Sequence, residues 1–138
     1  MHQQTASRRI EFSDTDMGGV VHFSRFFVFM ETAEEQVLRS FGATYTTTPA
    51  GRPAAWPKVA ASCEYLSPLR YGDEVEILAS VVKVTRSTVT YEFLFRRSGT
   101  EVARGRTTSV CCAPQTDGSF LPTPIPAELA DRLGATSR

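Results

Sequence analysis

The sequence predicts one α+β domain, in which a curved antiparallel sheet of five strands wraps around one long central helix. Residues 8–13 alternate in polarity, as a first strand does, and residues 24–41 form a long apolar segment with helical period. Four further strand-like segments follow, and no second helix of comparable strength interrupts them. This order is typical of α+β domains, although order and composition alone fit several architectures of that class.

The chain has 138 residues, the size of one domain, and we expect segments 1–7 and 115–138 to lie at its periphery. Its 15 basic and 15 acidic side chains cancel. Nucleic-acid and membrane-surface proteins usually carry a patch of one sign, so both classes are disfavoured. No apolar segment is long enough to cross a bilayer, and the first residues lack the apolar part of a secretory signal. The expected compartment is the cytoplasm.

Residues 24–41 are predicted as the central helix because their apolar side chains recur every three or four positions. Gly42 follows as a residue suited to end a helix. Phe23 and Phe29 widen the apolar face, so the helix is expected to be covered on several sides. The periodic positions are Phe26, Phe27, Met30, Ala33, Val37, Leu38 and Phe41.

After an irregular loop at residues 44–57, four strands are predicted at residues 58–66, 74–84, 87–97 and 101–113. The third shows the clearest alternation, since one of its faces carries Val89, Tyr91, Phe93 and Phe95. Residues 98–100 predict a tight hairpin turn, and Gly105 in the fourth strand would tolerate a bulge. Residues 126–133 are expected to form one or two helical turns.

Cys63, Cys111 and Cys112 make an odd number without CxxC spacing, and all three lie in apolar, strand-like surroundings. We therefore expect buried reduced thiols, and neither catalytic nor metal-binding cysteines. The two histidines are His2, in the polar leader, and His22. They form no pair suited to a metal, so no metal site is expected.

The candidate active site lies in residues 12–31, which read FSDTDMGGVVHFSRFFVFME. An acidic turn with two glycines runs directly into the predicted helix. Either Asp14 or Asp16 therefore stands just before a helix N-terminus, where unpaired N–H groups and the positive end of the helix dipole attract negative charge. A carboxylate base beside an oxyanion-binding site is typical of a hydrolase.

The order of residues in this segment is an aromatic, a small residue, D-x-D, two residues, G-V-V and then histidine and aromatic positions. It resembles the signature of the hotdog-fold acyl-CoA thioesterases of the 4-hydroxybenzoyl-CoA thioesterase type. The resemblance is most specific in the strand, turn and helix start, and it extends to Ala113 by the order and length of the elements. It implies a hotdog fold, hydrolysis of a thioester to a free acid and coenzyme A, and a cleft between subunits of a homodimer or homotetramer. Coenzyme A would then be part of the substrate, and no cofactor is expected.

The resemblance also implies roles for individual residues. The second aspartate of D-x-D, Asp16, would be the nucleophile or the general base, and the backbone N–H of Phe23 would hold the thioester oxygen. Gly18 and Gly19 would let the backbone approach the substrate. For Asp14 we expect the turn and capping contacts that aspartates commonly make, and Asp16 taken alone would fit that structural role too.

Further substrate contacts are expected from Val20, His22, Phe26 and Phe27. The family often has tyrosine or tryptophan where this chain has His22, and histidine or tyrosine where it has Phe23. A side-chain role for His22 therefore does not transfer directly, and a hydrogen-bonded structural histidine is an equal alternative. The aromatic side chains fit a lined acyl or aryl pocket and fit a plain core equally well.

Glu31 is the second choice for the catalytic carboxylate, because some hotdog thioesterases use a glutamate on the helix. A structural ion pair or a capping contact is an equal alternative for it. Glu34 and Glu35, which follow, are expected on the solvated or subunit-facing side.

Phosphate groups of coenzyme A require basic side chains, and Arg70, Arg86 and Arg97 are the leading candidates. Arg96, Arg104 and Arg106 are further candidates by charge and position. No glycine-rich phosphate loop singles any of them out, so ordinary surface arginines are the alternative.

Two other functions fit the same fold. The first is a non-catalytic hotdog module that binds acyl-CoA or packs in an assembly. The second, ranked third overall, is a hotdog hydratase or dehydratase, which would be expected to place an Asp/His or His/Glu pair at the cleft. No such motif surrounds His22 in the sequence.

Overall fold

The structure is a computed structural model that describes residues 3–134. Met1, His2 and residues 135–138 lie outside the described residues, and so do the expectations that concern them. A single turn of 3₁₀ helix, Phe12–Asp14, follows the first strand. The strands and helices are β1 (Gln3–Arg9), α1 (Arg25–Ser40), β2 (Lys58–Tyr65), β3 (Glu74–Val84), β4 (Thr88–Arg97), β5 (Thr100–Val110), β6 (Cys112–Pro114), β7 (Phe120–Pro122) and α2 (Ala127–Gly134).

Five strands form one antiparallel sheet in the order β1-β3-β4-β5-β2. In the described chain, β6 and β7 add a short two-stranded hairpin. The alternation predicted for the third strand is confirmed, since Val89, Tyr91, Phe93 and Phe95 are all buried. The α+β class and the five-stranded antiparallel sheet are therefore confirmed.

Helix α1 packs on this sheet through Phe29 and through most of the residues that the periodicity selected. Phe26, Phe29, Met30, Val37 and Leu38 are all buried. The ring of Phe26 meets the ring of Phe95 in strand β4 edge to face, with centroids 5.3 Å apart. Such aromatic pairs add packing energy beyond the apolar area that they bury.

The first strand lies five residues earlier than the sequence predicted. Residues 3–9 form β1, which pairs with β3 at one edge of the sheet, and the predicted strand at residues 8–13 is wrong beyond Arg9. The alternation of polarity is weak here because Ala6 is the only buried side chain of this polar strand. The segment expected to be a peripheral leader is thus part of the sheet.

The C-terminal segment also contributes to the core. Helix α2 is present where one or two helical turns were predicted, and its side chains Leu129 and Leu133 are completely buried. The predicted strand at residues 101–113 is divided, because β5 ends at Val110 and Cys112 begins the hairpin with β7.

Gly105, where the strand would tolerate a bulge, carries none. Its register with Phe93 is regular, and a Cβ atom at Gly105 would overlap the terminal methyl group and sulfur of Met30. Glycine at this position allows the Met30 side chain of helix α1 to approach the sheet closely. The irregularities of the sheet lie between Lys58 and Ala60, Val81 and Lys83, and Phe95 and Arg96.

The tight turn predicted at residues 98–100 is confirmed. Ser98 and Gly99 join β4 to β5 with φ angles of 49° and 80°, as a two-residue type I′ hairpin requires. Glycine tolerates this left-handed conformation without strain, whereas serine adopts it at some cost.

The three cysteines form no disulfide, and the expected burial holds for two of them. Cys111 and Cys112 are buried and Cys63 is partly buried. Burial raises the pKa of all three thiols, to about 11 for Cys111. None of them is therefore activated as a thiolate.

Candidate active site

The acidic turn is closed by its own backbone. The Asp16 N–H donates to the Val20 carbonyl at 2.8 Å, and the Gly19 N–H donates to the Asp16 carbonyl at 3.0 Å. Thr15 and Val21 form an isolated antiparallel bridge across the base of the turn. Gly19 has a φ of 80°, so the turn needs glycine there. These bonds hold Asp16 at a fixed position before helix α1.

The two oxygens of the Asp16 carboxylate have different surroundings. Oδ1 accepts the Gly18 N–H at 2.8 Å and the Val20 N–H at 3.4 Å. Oδ2 has no hydrogen-bond partner within residues 3–134, and the side chain is exposed. One oxygen therefore anchors the carboxylate, while the other is free to meet a substrate or a water molecule.

A cavity of about 360 Å³ opens beside this carboxylate. Of the residues proposed from the sequence, it brings together Asp16, Val20, Phe23 and Phe26. Sequence reasoning missed the opposite contribution to its lining, which comes from the end of β2 and the loop after it. The complete lining is Asp16, Val20, Val21, Phe23, Phe26, Tyr65, Leu66, Ser67, Pro68 and Leu69.

The backbone N–H of Phe23 has no acceptor within the described residues, although the neighbouring amides do. The His22 N–H donates to the Asp14 carbonyl, and the Arg25 N–H donates to the His22 carbonyl, both at 2.9 Å. The Phe23 carbonyl accepts the Tyr65 hydroxyl at 2.9 Å. The peptide groups around Phe23 are thus fixed, and one free donor remains beside the cavity.

Asp14 makes the structural contacts that were expected of it. Its carboxylate is completely buried and binds Arg8 at 3.1 Å and Arg25 at 2.9 Å. It also accepts the Glu11 N–H at 2.8 Å. Burial alone would raise the pKa of Asp14, but the Glu11 N–H and the two guanidinium groups outweigh it, so the pKa is lowered. Asp14 fastens β1 and the start of α1 to the turn.

His22 is exposed and does not line the cavity beside Asp16. Its Nδ1 lies 2.8 Å from the Ser24 hydroxyl and 3.3 Å from the Ser24 N–H. Its ring stacks on the ring of Phe23, with centroids 4.6 Å apart. The ring is thus oriented by Ser24, and it covers one face of a residue that does line the cavity.

Glu31 and Phe27 do not line the Asp16 cavity of their own chain. Both contribute to a smaller cavity of about 200 Å³, which also has Lys58 and Thr107 in its lining. Glu31 borders a further groove of about 640 Å³ beside Tyr45. The first and second choices for the catalytic carboxylate are therefore separated within one chain.

The expectation that Glu34 faces solvent or another subunit is wrong, because Glu34 is 1% exposed. It follows Met30 by four positions, so it points to the same buried face of α1. Its carboxylate accepts a hydrogen bond from Tyr45 at 2.7 Å and binds Lys58 at 2.8 Å. Its other partners are the hydroxyl groups of Thr107 and Ser109.

This buried cluster explains a raised pKa at Tyr45. Burial, followed by the charge of Glu34, raises the pKa of Tyr45 far above its ordinary value, so the phenol stays protonated as a donor. The Lys58 ammonium also lies 5.0 Å from the centre of the Tyr45 ring. Helical spacing could have indicated the burial of Glu34, but its partners come from distant parts of the chain.

The arginine candidates for phosphate binding divide into two groups. Arg97 donates to the Pro68 carbonyl at 2.7 Å and to Asp73 at 3.3 Å, so it is already engaged. The guanidinium groups of Arg70 and Arg86 are exposed and contact no partner within residues 3–134. Of the further candidates, Arg104 pairs with Glu101 and Arg106 with Glu92, and Arg96 is partly buried.

Within residues 3–134, no three His, Cys, Asp or Glu side chains come together as metal ligands. Neither helix of this part of the chain combines the length and the apolar character needed to span a bilayer.

Comparison with known proteins gives consistent matches. A family model described as the thioesterase-like superfamily matches residues 10–133. A protein of Aquifex aeolicus is 33% identical over 102 residues, which cover 72% of this chain and 77% of that protein. A 1,4-dihydroxy-2-naphthoyl-CoA hydrolase of Microcystis aeruginosa is 28% identical over 130 residues, 94% of this chain and 92% of its own length.

Among solved structures, a 1,4-dihydroxy-2-naphthoyl-CoA thioesterase from Synechocystis matches with a TM-score of 0.84. The match covers 99% of each chain at 22% sequence identity. At that identity the likeness shows the fold alone.

Proposed function

The chain belongs to the thioesterase-like superfamily of hotdog-fold proteins, and from this premise we propose that it hydrolyses an acyl-CoA thioester to a free acid and coenzyme A. One observation carries the proposal. Asp16, which has a free carboxylate oxygen, and Phe23, which has a free backbone N–H, line the same cavity, and the lining is largely apolar. A nucleophile or base and an oxyanion donor are the two groups that thioester hydrolysis requires.

In this mechanism Oδ2 of Asp16 either attacks the thioester carbonyl or takes a proton from the water molecule that attacks it. The Gly18 N–H holds Oδ1 and so orients the carboxylate. The Phe23 N–H donates to the oxygen as its negative charge develops. When the tetrahedral intermediate collapses, the C–S bond breaks and the coenzyme A thiolate takes up a proton. If Asp16 attacks first, water then hydrolyses the acyl-enzyme anhydride.

We propose hydroxylated aromatic acyl groups as the first substrate class to examine. The relatives from Microcystis and Synechocystis are named for 1,4-dihydroxy-2-naphthoyl-CoA. Phe23 and Phe26 supply aromatic surface in the Asp16 cavity, where a planar ring packs well. The narrower 4-hydroxybenzoyl-CoA type stays a prediction. So do phosphate contacts from Arg70 and Arg86, contacts from Gly19 and His22, and a location in the cytoplasm. The thioester is the substrate, and no resident cofactor is proposed.

We further propose a homodimer, or a pair of such dimers, built through the edge strand β2. This strand has a neighbour on one side only, and Val59 is 63% exposed. If β2 pairs antiparallel with β2 of a second copy, the Lys58 end of one strand lies beside the Tyr65 end of the other. The cavity that Glu31 borders in one copy would then lie beside the Asp16 cavity of the other copy. The second copy would also cover α1 and make it the central helix of the assembly. Light scattering after size-exclusion chromatography measures the mass of the particle in solution and so tests whether the protein is a dimer or a tetramer.

The alternative functions make different predictions. A non-catalytic acyl-CoA-binding module would use the same cavity without turnover, and the bonds from Gly18 and Val20 to Asp16 would then serve the turn alone. A hydratase or dehydratase would use a histidine paired with an acid. The contacts of His22 within the described chain are with Ser24 and Phe23.

The test is release of free thiol from a panel of aromatic and aliphatic CoA esters by the purified protein. We expect turnover, with the highest kcat/KM for a hydroxylated aromatic ester. Binding of acyl-CoA without hydrolysis of any ester would overturn the proposal and support the binding module.

A further inference from the structure

We propose that Arg97 is a positioning residue for the Asp16 cavity. It ties the loop formed by residues 67–73, called the wall loop below, to the end of strand β4. This inference rests on the proposed thioesterase function, because it concerns the geometry of the same site. It replaces the expectation that Arg97 binds a phosphate group of coenzyme A.

Arg97 holds the wall loop at two points. One guanidinium nitrogen donates to the Pro68 carbonyl at 2.7 Å and to the Asp73 carboxylate at 3.3 Å. The same Asp73 oxygen accepts the Arg70 N–H at 2.8 Å. The Arg97 and Asp73 side chains are about two-thirds buried. One cation thus joins both ends of the segment between Pro68 and Asp73.

The wall loop in turn contacts the turn that carries Asp16. Pro68 and Leu69 line the same cavity as Asp16. The Leu69 side chain is completely buried, and its carbonyl accepts the Val21 N–H at 2.8 Å. Val21 forms the bridge with Thr15 that closes the acidic turn. A displacement of the wall loop would therefore change the cavity and loosen the turn beside Asp16.

Arg97 connects this loop to a rigid part of the molecule. It is the last residue of β4, which has a neighbouring strand on each side, and it stands opposite Thr100 across the hairpin. Sites held by regular elements are more accurate than sites held by loops alone. Arginine suits the position because its planar group can serve a carbonyl and a carboxylate together.

A phosphate-binding role makes a different prediction. A phosphate at Arg97 would compete with Asp73 for the guanidinium group. Its loss would weaken binding of a CoA ester and leave unchanged the hydrolysis of a pantetheine ester, which lacks the nucleotide phosphates. A positioning role predicts an equal loss with both esters, because the displaced wall affects the reacting end that they share.

The first test compares Arg97→Gln with Arg39→Gln, whose parent arginine makes a single ion pair with Glu35 on the surface of helix α1. For Arg97→Gln we expect kcat/KM to fall about tenfold or more with both esters, mainly through kcat, since small misplacements at a reacting centre are costly. In Arg97→Ala, added guanidinium ion should restore part of the rate at concentrations that leave the parent unaffected. Unchanged kinetics in Arg97→Gln, or a loss confined to the CoA ester, would overturn the proposal.

The second test needs no activity. Hydrogen exchange of the Val21 amide, which donates to the Leu69 carbonyl, should be faster in Arg97→Gln than in the parent and unchanged in Arg39→Gln. Unchanged exchange at Val21 would overturn the positioning role. If the parent hydrolyses no thioester, the proposed function fails, and the Val21 exchange rate still decides whether Arg97 holds the wall loop against the turn.

Discussion

Asp14 and Asp16 stand two positions apart in the chain and have opposite environments. Asp14 is completely buried between Arg8 and Arg25, whereas Asp16 is exposed and keeps one carboxylate oxygen free beside a cavity. The Asp14 carbonyl also accepts the His22 N–H, next to the proposed oxyanion donor. The first aspartate therefore fixes the turn on which the second is presented.

Replacing Asp14 with asparagine should destabilise the fold. The change leaves Arg8 and Arg25 without their shared counter-charge. We expect the free energy of unfolding to fall by about 2–3 kcal/mol, less than for a fully buried pair because both arginines reach water. Urea denaturation measures this change in the free energy of unfolding. A change below about 0.5 kcal/mol, the usual size for a surface position, would contradict the role assigned to Asp14.

The contribution of Asp14 should depend on pH in a defined direction. Its pKa in the folded protein lies below the ordinary value of 3.8, so the unfolded chain takes up a proton first as the pH falls. The stability that the ionised group contributes is complete above that value and is lost as the pH falls through the folded pKa. The difference in unfolding free energy between parent and Asp14→Asn should be constant from neutrality to about pH 5 and should narrow below about pH 4. A difference that grows on acidification would contradict this sign.

Glu34→Gln should be destabilising, although its neighbour Glu35 should tolerate the same change. Lys58 loses its buried counter-charge, and it is 26% exposed, so we expect a loss of about 2–3 kcal/mol. Glu35 makes an exposed pair with Arg39, and Glu35→Gln should cost less than about 0.5 kcal/mol. In Glu34→Gln/Lys58→Met the loss should be smaller than in Glu34→Gln. A loss of unfolding free energy in Glu34→Gln as small as the loss in Glu35→Gln would contradict a stabilising role for the Glu34 cluster.

Gly105→Ala should strain the contact between the sheet and helix α1. The new methyl group would overlap the Met30 side chain, and overpacking of this kind costs about 1–3 kcal/mol. Gly134→Ala is the control, because within the described residues nothing beyond its chain neighbours and its own helix backbone lies within 4 Å of the added atom. Thermal unfolding compares the two, and Met30→Ala in the Gly105→Ala background should recover part of the loss. Unchanged stability in Gly105→Ala would contradict the close approach.

Tyr65→Phe should lower turnover while leaving the fold intact. The Tyr65 hydroxyl fixes the Phe23 carbonyl, and the loss of one hydrogen bond, about 1 kcal/mol, corresponds to roughly a fivefold lower kcat. Tyr71→Phe is the matched control, because its exposed hydroxyl has no partner within residues 3–134. Equal kcat values for the two variants would show that the hydrogen bond from Tyr65 to the Phe23 carbonyl does not support turnover.

The helix and the inner strands could be predicted because local patterns determine them. The three- and four-residue spacing from Phe26 to Leu38 and the alternation from Val89 to Phe95 each identify a buried face without knowledge of its partner. Strand β1 was placed too late because an edge strand with Ala6 as its single buried residue has almost no apolar alternation. The position of an edge strand depends on its neighbour as much as on its own sequence.

Only the part of the candidate site formed by the acidic turn and the start of α1 could be predicted from the sequence. The turn with Asp16 and the helix start with Phe23 are contiguous in sequence, so a local motif was enough to select them. Tyr65, Pro68 and Leu69 reach the cavity through the sheet topology, and no local pattern links them to Asp16. Glu34 shows the same limit, since helical spacing indicates its burial but cannot indicate Lys58 as its partner.

The central claim is that the Asp16 carboxylate performs the chemistry. The most direct measurement is kcat for Asp16→Asn beside the parent, with the best CoA ester at saturation and with folding checked by thermal unfolding. The account predicts a folded variant that still binds the ester and whose kcat is lower by a factor of about 10² or more, as for loss of a general base or nucleophile. A folded Asp16→Asn variant that turns over at the rate of the parent would contradict it.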